Sequence, residues 1–384
     1  MRGSIVRRGR SYALVLDLDR DPSTGRRRQK WHSGYRTKRE AAAALAELVT
    51  SVNRGVYVPT SRQTVADYVD EWLAAIAPTV RPSTHYSYTR NLRLHLLPYL
   101  GTTPLTAVDA GALNALYARL LVEGRRNQAG GGLSARSVSY VHSIAHRAFK
   151  DAVKWGRLVR NPADAADPPR ATASGSPDMV TWTAAELHRF LDGVRDDRLH
   201  AAYFLLATTG MRRGEALGLR WTDVDLDAGR AAVRQTVIAV NHQPMMGTPK
   251  TAKGRRNVSL DARTVTALRD HRVRQAAERL QMGSGWTDHG LVFCRVDGAM
   301  LHPERFSRSF GDRVRQLGLP PIRLHDLRHG WATMALAGKV NARVVQERLG
   351  HANVGITLNV YSHVTDSMQD DAAETVADIV FSDR

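Results

Sequence analysis

A break in the helical periodicity near the middle of the chain constrains the fold most. The segment DPPRATASGSPD (167–178) is rich in proline and glycine and has no apolar periodicity, so it predicts an exposed linker between domains. A chain of 384 residues is long enough for two or three domains. We predict five segments, with these bounds: 1–58, 62–165, a linker at 166–178, 179–366 and a tail at 367–384.

The N-terminal segment has the pattern of a small sheet followed by a helix. SYALVLDLD (11–19) and RRRQKWHSGY (26–35) predict strands on either side of a turn at DPSTG. In the helix that follows, Thr37 is the predicted N-cap and Glu40 completes a capping box. Arginine-rich strands of this kind fit a module that binds DNA, or an ordinary α+β domain with a solvated basic face.

The rest of the chain is mainly helical. Apolar residues at spacings of three and four predict four helices, at 65–77, 81–101, 109–124 and 134–156, which form a bundle. The last domain begins with a capping box of Thr183 and Glu186. Its strand-like interval runs through 229–240, a turn at HQPMMG, and 248–260. The predicted fold class is mainly α with small antiparallel sheets (α+β).

Charge indicates a polyanionic partner. The chain has 55 Lys and Arg against 37 Asp and Glu, a net charge of +18, and residues 1–61 contribute +8 of it. Nucleic acid is the commonest partner of so basic a protein, although a generally basic proteome is the plain alternative. The single cysteine, Cys294, excludes an intrachain disulfide and favours a reducing cytosol. No apolar run of about 18 residues predicts a membrane span, and the N-terminus lacks the pattern of a secretory signal.

The stretch HDLRHGWAT (325–333) raises the hypothesis of a metal site. His325 and His329 have the i, i+4 spacing of the zinc-binding HExxH motif. However, the intervening residues lack the glutamate of that motif, and Arg328 would repel a divalent cation. No cysteine cluster or carboxylate triad supplies further ligands, so we predict neither a metal nor another cofactor.

The order of several motifs in the last domain indicates what kind of site the HDLRHGWAT stretch belongs to. The phrases TGMRRGEALGLRW (209–221), HDLRH (325–329) and LGHANVGITLNVYSHV (349–364) resemble the three boxes of the tyrosine recombinases, the phage integrase family. The resemblance covers about 178–366. It assigns the catalytic residues to six positions, in this order: Arg212, Lys250, His325, Arg328, His351 and Tyr361.

The resemblance implies a covalent mechanism without ATP or metal. Tyr361 would attack a DNA phosphodiester, displace a 5′-hydroxyl and form a 3′-phosphotyrosine. Arg212 and Arg328 would hold the two non-bridging oxygens, a task that suits the planar guanidinium fork.

The other family positions imply supporting roles. Lys250 would protonate the departing 5′-oxygen, with Lys253 as the alternative lysine in the same predicted hairpin. His325 would assist proton transfer, His351 would hydrogen-bond the phosphate, and Glu215 would support Arg212.

The resemblance also implies the partners and the biology. Segment 62–165 would bind the core attachment site in double-stranded DNA, and segment 1–58, a three-stranded sheet with a helix, would bind arm sites. A homotetramer on DNA would exchange the tails at 367–384, and an excisionase and a host DNA-bending protein are possible partners. We therefore predict an integrase of a mobile element in the bacterial cytoplasm, associated with the nucleoid. The alternatives are a dimer-resolving recombinase, a type IB topoisomerase and a non-catalytic DNA-binding protein.

Four residues near the motifs have simpler interpretations. We expect His329 to cap or pack beside the site, and Arg213 to contact the DNA backbone or be solvated. Trp221 and Trp331 are expected in the core.

Overall fold

The computed structural model describes residues 3–18, 25, 28–53, 62–126, 130–170, 180–249 and 254–350, together with residues 377, 380 and 381. The chain divides into two compact units, residues 1–173 and residues 174–384. The predicted tail at 367–384 lies outside the described residues, apart from three helical positions.

The N-terminal module is a three-stranded antiparallel sheet with one helix. The strands β1 (Gly3–Arg8), β2 (Ser11–Leu18) and β3 (Arg28–Tyr35) are paired in that order, and α1 (Lys38–Asn53) contacts β1 and β2. The capping box is confirmed, because the Glu40 carboxylate accepts the Thr37 backbone N–H and the Thr37 hydroxyl accepts the Glu40 N–H at 3.2 Å. The residue pattern did not indicate β1, whose six residues include only two large apolar side chains.

The first unit also contains the predicted helices of the bundle. They are α2 (Val65–Ile76), α3 (Pro82–Asn91), α4 (Leu97–Leu100), α5 (Ala110–Glu123) and α6 (Ala135–Lys154). Each of the long helices α2, α5 and α6 buries one apolar face, and the Tyr68 hydroxyl donates to the Ala148 carbonyl at 2.6 Å to join α2 to α6. The predicted helices at 65–77, 81–101, 109–124 and 134–156 are confirmed.

The second of these helices is wider in its middle than a regular α-helix. A π-helical turn at 92–96 joins α3 to α4, and the Leu97 N–H donates to the Leu92 carbonyl five residues earlier. Pro98 lies two residues after this turn, and its ring would clash with a carbonyl in a regular α-helix. The wider turn therefore lets the helix continue past a proline that the sequence placed near its end.

In the part of the chain that the structure describes, the second unit contains seven α-helices around an aromatic core, and five short strands. Its helices are α7 (Ala184–Gly193), α8 (His200–Thr209), α9 (Arg213–Leu217), α10 (Ala262–Met282), α11 (Pro303–Gln316), α12 (Asp326–Ala337) and α13 (Ala342–Leu349). The capping box of Thr183 and Glu186 begins α7, as predicted. In the core, the Tyr203 and Phe306 rings stack with centroids 5.2 Å apart.

The strands of the second unit form two small antiparallel sheets. One contains β4 (Val224–Asp225), β5 (Arg230–Val233) and β8 (Arg256–Ser259); the other contains β6 (Thr236–Val240) and β7 (Gln243–Gly247). The predicted turn through HQPMMG is wrong, because Gln243–Gly247 is a strand.

The turn between β6 and β7 consists of Asn241 and His242. Their φ angles are 48° and 59°, as a tight two-residue hairpin requires. Pro244 suggested a turn, but it pairs with Ala239 in a two-stranded ribbon, where the missing N–H can face outward.

The fold class predicted from the sequence is confirmed: mainly α, with small antiparallel sheets. Among the described helices, none is both long and apolar enough to cross a membrane.

Candidate active site

The structure describes four of the seven residues that the sequence assigned to the site. They are Arg212, Glu215, His325 and Arg328. Lys250, His351 and Tyr361 lie outside the described residues, as does the alternative lysine, Lys253.

Arg212 and Glu215 form a closed unit at the start of α9. Helix α8 ends in a left-handed turn at Gly210, and Arg212 then acts as the residue before α9. Glu215 is 4% exposed; its Oε1 accepts Arg212 Nη1 at 2.8 Å and its Oε2 accepts the Arg212 backbone N–H at 2.9 Å. A glutamate at the third helical position caps the helix start and at the same time fixes the arginine side chain.

Arg328 is buried in the first turns of α12. It is 3% exposed, and its Nη1 and Nη2 donate to the carbonyls of Gly210 and Leu349 at 2.8 and 2.7 Å. Burial and the adjacent guanidinium of Arg212 lower the pKa of Arg328. Within the described part of the chain, no carboxylate forms an ion pair with it.

The site contains a third arginine, which the sequence motifs do not include. Arg256 on β8 donates from Nη2 to Glu215 Oε2 at 2.9 Å and from Nε to the Arg348 carbonyl at 2.5 Å. The alternation of β8 could have identified it, because Arg256 lies two residues from buried Val258 and therefore on the same face.

Three arginines bind three consecutive carbonyls at the end of α13. Arg256 binds the carbonyl of Arg348, Arg328 that of Leu349, and Arg212 Nη2 that of Gly350 at 3.2 Å. The last carbonyls of a helix have no partners within the helix, so guanidinium groups satisfy them well. The next residue along the chain is His351.

The charges of this cluster do not cancel. Although burial alone would raise the pKa of Glu215, hydrogen bonds and charges from Arg256 and Arg212 lower it, so the carboxylate is ionised. Three guanidinium groups and one carboxylate leave two positive charges uncompensated among these four side chains. Such a surplus of partly buried positive charge favours binding of an anion.

His325 lies just before α12, beside His329. The two rings meet edge to face with centroids 5.0 Å apart. His325 is exposed as a whole residue, yet desolvation by the atoms around it, followed by the charges of His329 and Arg328, lowers its pKa to about 4. Burial also lowers the pKa of His329. Both rings are therefore neutral near pH 7, and His329 packs beside the site as expected.

The metal hypothesis gains no support from the described residues. Among them, no group of three or more His, Cys, Asp or Glu side chains could hold a metal ion.

Arg213 and the two tryptophans differ in part from the expectations. Arg213 is partly buried and donates from Nη1 to the Ser307 hydroxyl at 2.6 Å, so the solvated alternative is wrong. Trp331 and Trp221 are only partly buried and border the core; Arg348 stacks on the Trp331 ring at 5.1 Å.

Comparison with known families shows what class of protein this chain is. The "Phage integrase family" matches residues 182–368, the "Arm DNA-binding domain" residues 4–52, and the "Phage integrase, N-terminal SAM-like domain" residues 64–116. The chain belongs to the phage integrase family. It is accordingly a tyrosine recombinase by class, as its motifs predicted.

Relatives of this recombinase match it over nearly their whole length. A "Tyrosine recombinase XerC-like" protein from Caldanaerobacter subterraneus subsp. tengcongensis is 25% identical, with 97% of this chain and 98% of the relative covered. An "Integrase" from Streptomyces ambofaciens is 29% identical, with 91% and 88% covered. A structure of the Tn1549 transposon integrase in complex with a circular intermediate DNA has a TM-score of 0.65 at 20% identity, covering 82% of this recombinase and 99% of that chain. At this identity the likeness shows a shared fold.

Proposed function

We propose that this recombinase cleaves and rejoins DNA through a 3′-phosphotyrosine at Tyr361, and that it integrates and excises a mobile element. The observation that carries the proposal is the cluster of Arg212, Arg256 and Arg328 around the carboxylate of Glu215. A phosphodiester has one negative charge and gains a second in a pentacoordinate transition state, which matches the two uncompensated positive charges. Donors that are already fixed stabilise this developing charge without reorganisation.

The described residues support specific roles in this reaction. Arg212 and Arg328 are held by carbonyl oxygens, and each guanidinium has further N–H groups with which to bind a non-bridging oxygen. A tyrosine with its ordinary pKa near 10 is a weak nucleophile at pH 7. A neutral His325 can accept its proton as the bond to phosphorus forms.

Three roles concern residues beyond the described part of the chain. Tyr361 Oη is the proposed nucleophile, and the displaced 5′-oxygen takes a proton from Lys250, or from Lys253 in its place. His351 hydrogen-bonds the phosphate, and the bond energy kept in the tyrosyl ester allows religation without ATP.

The N-terminal module supports arm-site binding. Gly3 pairs with Leu16, and a Cβ at Gly3 would lie 2.5 Å from Leu45 of α1, so the Leu16 face of the sheet is covered by the helix. Trp31 pairs with Val15 on the opposite face, is 47% exposed and has the Arg8 guanidinium 4.9 Å from its ring centroid. An arginine and a tryptophan on an open sheet face suit contact with a nucleic acid.

The five predicted segments complete the proposal. Segment 1–58 binds arm sites, 62–165 binds the core site, 166–178 links them to the catalytic segment 179–366, and the tail at 367–384 is exchanged between protomers. The enzyme acts as a homotetramer on double-stranded DNA in the bacterial cytoplasm at the nucleoid, with an excisionase and a host DNA-bending protein as accessory partners.

The arm module favours the integrase over two of its alternatives. A dimer-resolving recombinase or a type IB topoisomerase has no need of a second DNA-binding module, whereas the match to an arm DNA-binding domain covers residues 4–52. An assay for recombination between two attachment sites, run beside a plasmid relaxation assay, distinguishes them. Relaxation without recombination would favour the topoisomerase.

The nucleophile is tested by trapping the covalent intermediate. On a nicked substrate that spans the attachment site, the wild-type protein should give an SDS-resistant protein–DNA adduct. Tyr361→Phe should bind the same DNA and give no adduct. Tyr140→Phe, which removes only a hydroxyl 3.1 Å from Ser87, is the matched control and should give the wild-type yield. An adduct in Tyr361→Phe would exclude this tyrosine as the nucleophile.

A further inference from the structure

Arg256 is the one member of the arginine cluster that has no assigned part in the reaction. Its side chain is 8% exposed and has two hydrogen-bond partners in the site: the Glu215 carboxylate at 2.9 Å and the Arg348 carbonyl at 2.5 Å. Its Nη1 also lies 3.3 Å from the Gly254 carbonyl.

We propose that Arg256 is a positioning residue: it holds the guanidinium groups of Arg212 and Arg328 in the geometry that binds the phosphate. The inference rests on the proposed function. Arg256 acts through two routes, Glu215 and the carbonyls at the end of α13, and does not itself need to touch DNA.

The first route passes through Glu215. Oε2 of this carboxylate accepts from both Arg256 and the backbone N–H of Arg212, while Oε1 accepts from the Arg212 side chain. With Arg256 in place, both oxygens are engaged and the carboxylate plane is fixed. Without it, Oε2 loses its charged partner, and the carboxylate can rotate and carry the Arg212 guanidinium with it.

The second route passes through the end of α13. Because the three arginines hold three successive carbonyls, a shift at the Arg348 carbonyl moves the neighbouring carbonyls to which Arg328 and Arg212 bind. The same movement would displace the start of the segment that contains His351. A misplacement of about 1 Å is enough to cost about 10²-fold in rate.

Arginine is needed here because the two partners lie at different edges of its guanidinium. Nε meets the carbonyl, whereas Nη2 meets the carboxylate. A lysine ammonium is a point charge that can satisfy one of these partners well, but not both at this geometry.

The test is single-turnover cleavage of the nicked attachment-site substrate by the full-length protein at saturating DNA. The rate is expressed per active molecule, from the adduct end point. For Arg256→Gln we expect a rate about 10- to 100-fold below wild type, with the Kd for DNA changed by less than about threefold. Arg256→Lys should recover part of the rate. Because one of the two routes passes through Glu215, Arg256→Gln combined with Glu215→Gln should lose less than the product of the two single losses.

Arg255→Gln is the matched control. It removes the same charge from the neighbouring residue, whose side chain is exposed. It should lower DNA affinity at most a few-fold and leave the saturated rate unchanged. A stability role alone would reduce the amount of active protein and leave the rate per active molecule as it is.

The outcomes separate this inference from the proposed function. If the wild-type protein forms no adduct, the proposed function fails. If the wild type cleaves and Arg256→Gln cleaves within twofold of it, the positioning role is overturned and the proposed function stands. Full multiplicativity with Glu215→Gln would overturn the route through Glu215 and leave only the route through the end of α13.

Discussion

Arg328 donates to the carbonyl of Gly210 at 2.8 Å, and this bond ties the start of α12 to the turn that ends α8. Gly210 has a φ of 65°, and Arg212 follows two residues later. The two proposed phosphate-binding arginines are therefore joined through a single turn of backbone. More than a hundred residues separate them along the chain, and this hydrogen bond to a glycine carbonyl links their two segments directly.

Replacing Arg328 should separate activity from stability. We expect Arg328→Gln to lower the cleavage rate about 10²- to 10³-fold, as loss of a transition-state donor does. Stability should change by only about 1 kcal/mol, because the loss of two hydrogen bonds is offset by removal of a buried charge without a carboxylate partner. Adduct formation and chemical denaturation measure the two effects. The control Arg279→Gln breaks only an exposed ion pair with Asp288 and should change neither the cleavage rate nor the stability. A stability loss of several kcal/mol in Arg328→Gln would contradict the argument.

Gly210→Ala should destabilise the second unit. A Cβ at this position would lie 2.6 Å from Leu349 Cδ2 and 3.2 Å from Trp331, in a backbone conformation that costs a side chain about 1 kcal/mol or more. We expect a loss of about 2–4 kcal/mol, together with slower cleavage, because the turn also orients Arg212. Gly311→Ala is the matched control: it lies within α11 with nothing inside 4 Å, and should stabilise by about 0.5–1 kcal/mol. Equal effects in thermal unfolding would rule out the role of the turn.

His325 should stay neutral well below the ordinary histidine range. Its pKa is lowered from 6.5 to about 4 in the folded protein, so the unfolded state binds the proton more readily between these values. The stability contribution of this group is therefore complete above about pH 6.5 and is lost as the pH falls toward 4. Titration of the His325 ring by ¹⁵N NMR should show a neutral imidazole at pH 5.5. The substitution His329→Gln should raise the pKa of His325, because the charge of His329 lowers that pKa. A midpoint near 6.5 in the wild type would refute this.

Deleting residues 1–58 should separate core cleavage from integration. The deletion removes the sheet face that contains Arg8 and Trp31, so we expect adduct formation on core-site DNA to persist while recombination between full attachment sites falls. The deleted segment is strongly basic, and its loss should also reduce the slope of log Kd against log salt concentration. Integration at the wild-type rate by the truncated protein would show that the module has no arm function.

Much of the fold could be predicted because its patterns are local. The helices at 65–77, 81–101, 109–124 and 134–156 follow from apolar residues three and four apart, and the capping boxes at Thr37 and Thr183 follow from residues three apart. The hairpin at β6 and β7 was mistaken because Pro244 and Gly247 suggest a turn, while the positive φ angles of Asn241 and His242 do not show in the sequence.

The sequence by itself determined the family and the residue types of the site, since the motifs around Arg212, Arg328 and Tyr361 can be compared letter by letter. Only the tertiary structure showed that Arg256 completes the cluster, that Glu215 is shared between two arginines, and that three successive carbonyls at the end of α13 hold all three. The physical reason is that these bonds join segments more than 40 residues apart, and the carbonyls that accept them belong to the backbone. Every residue has a carbonyl, so no letter of the sequence marks the three that are used.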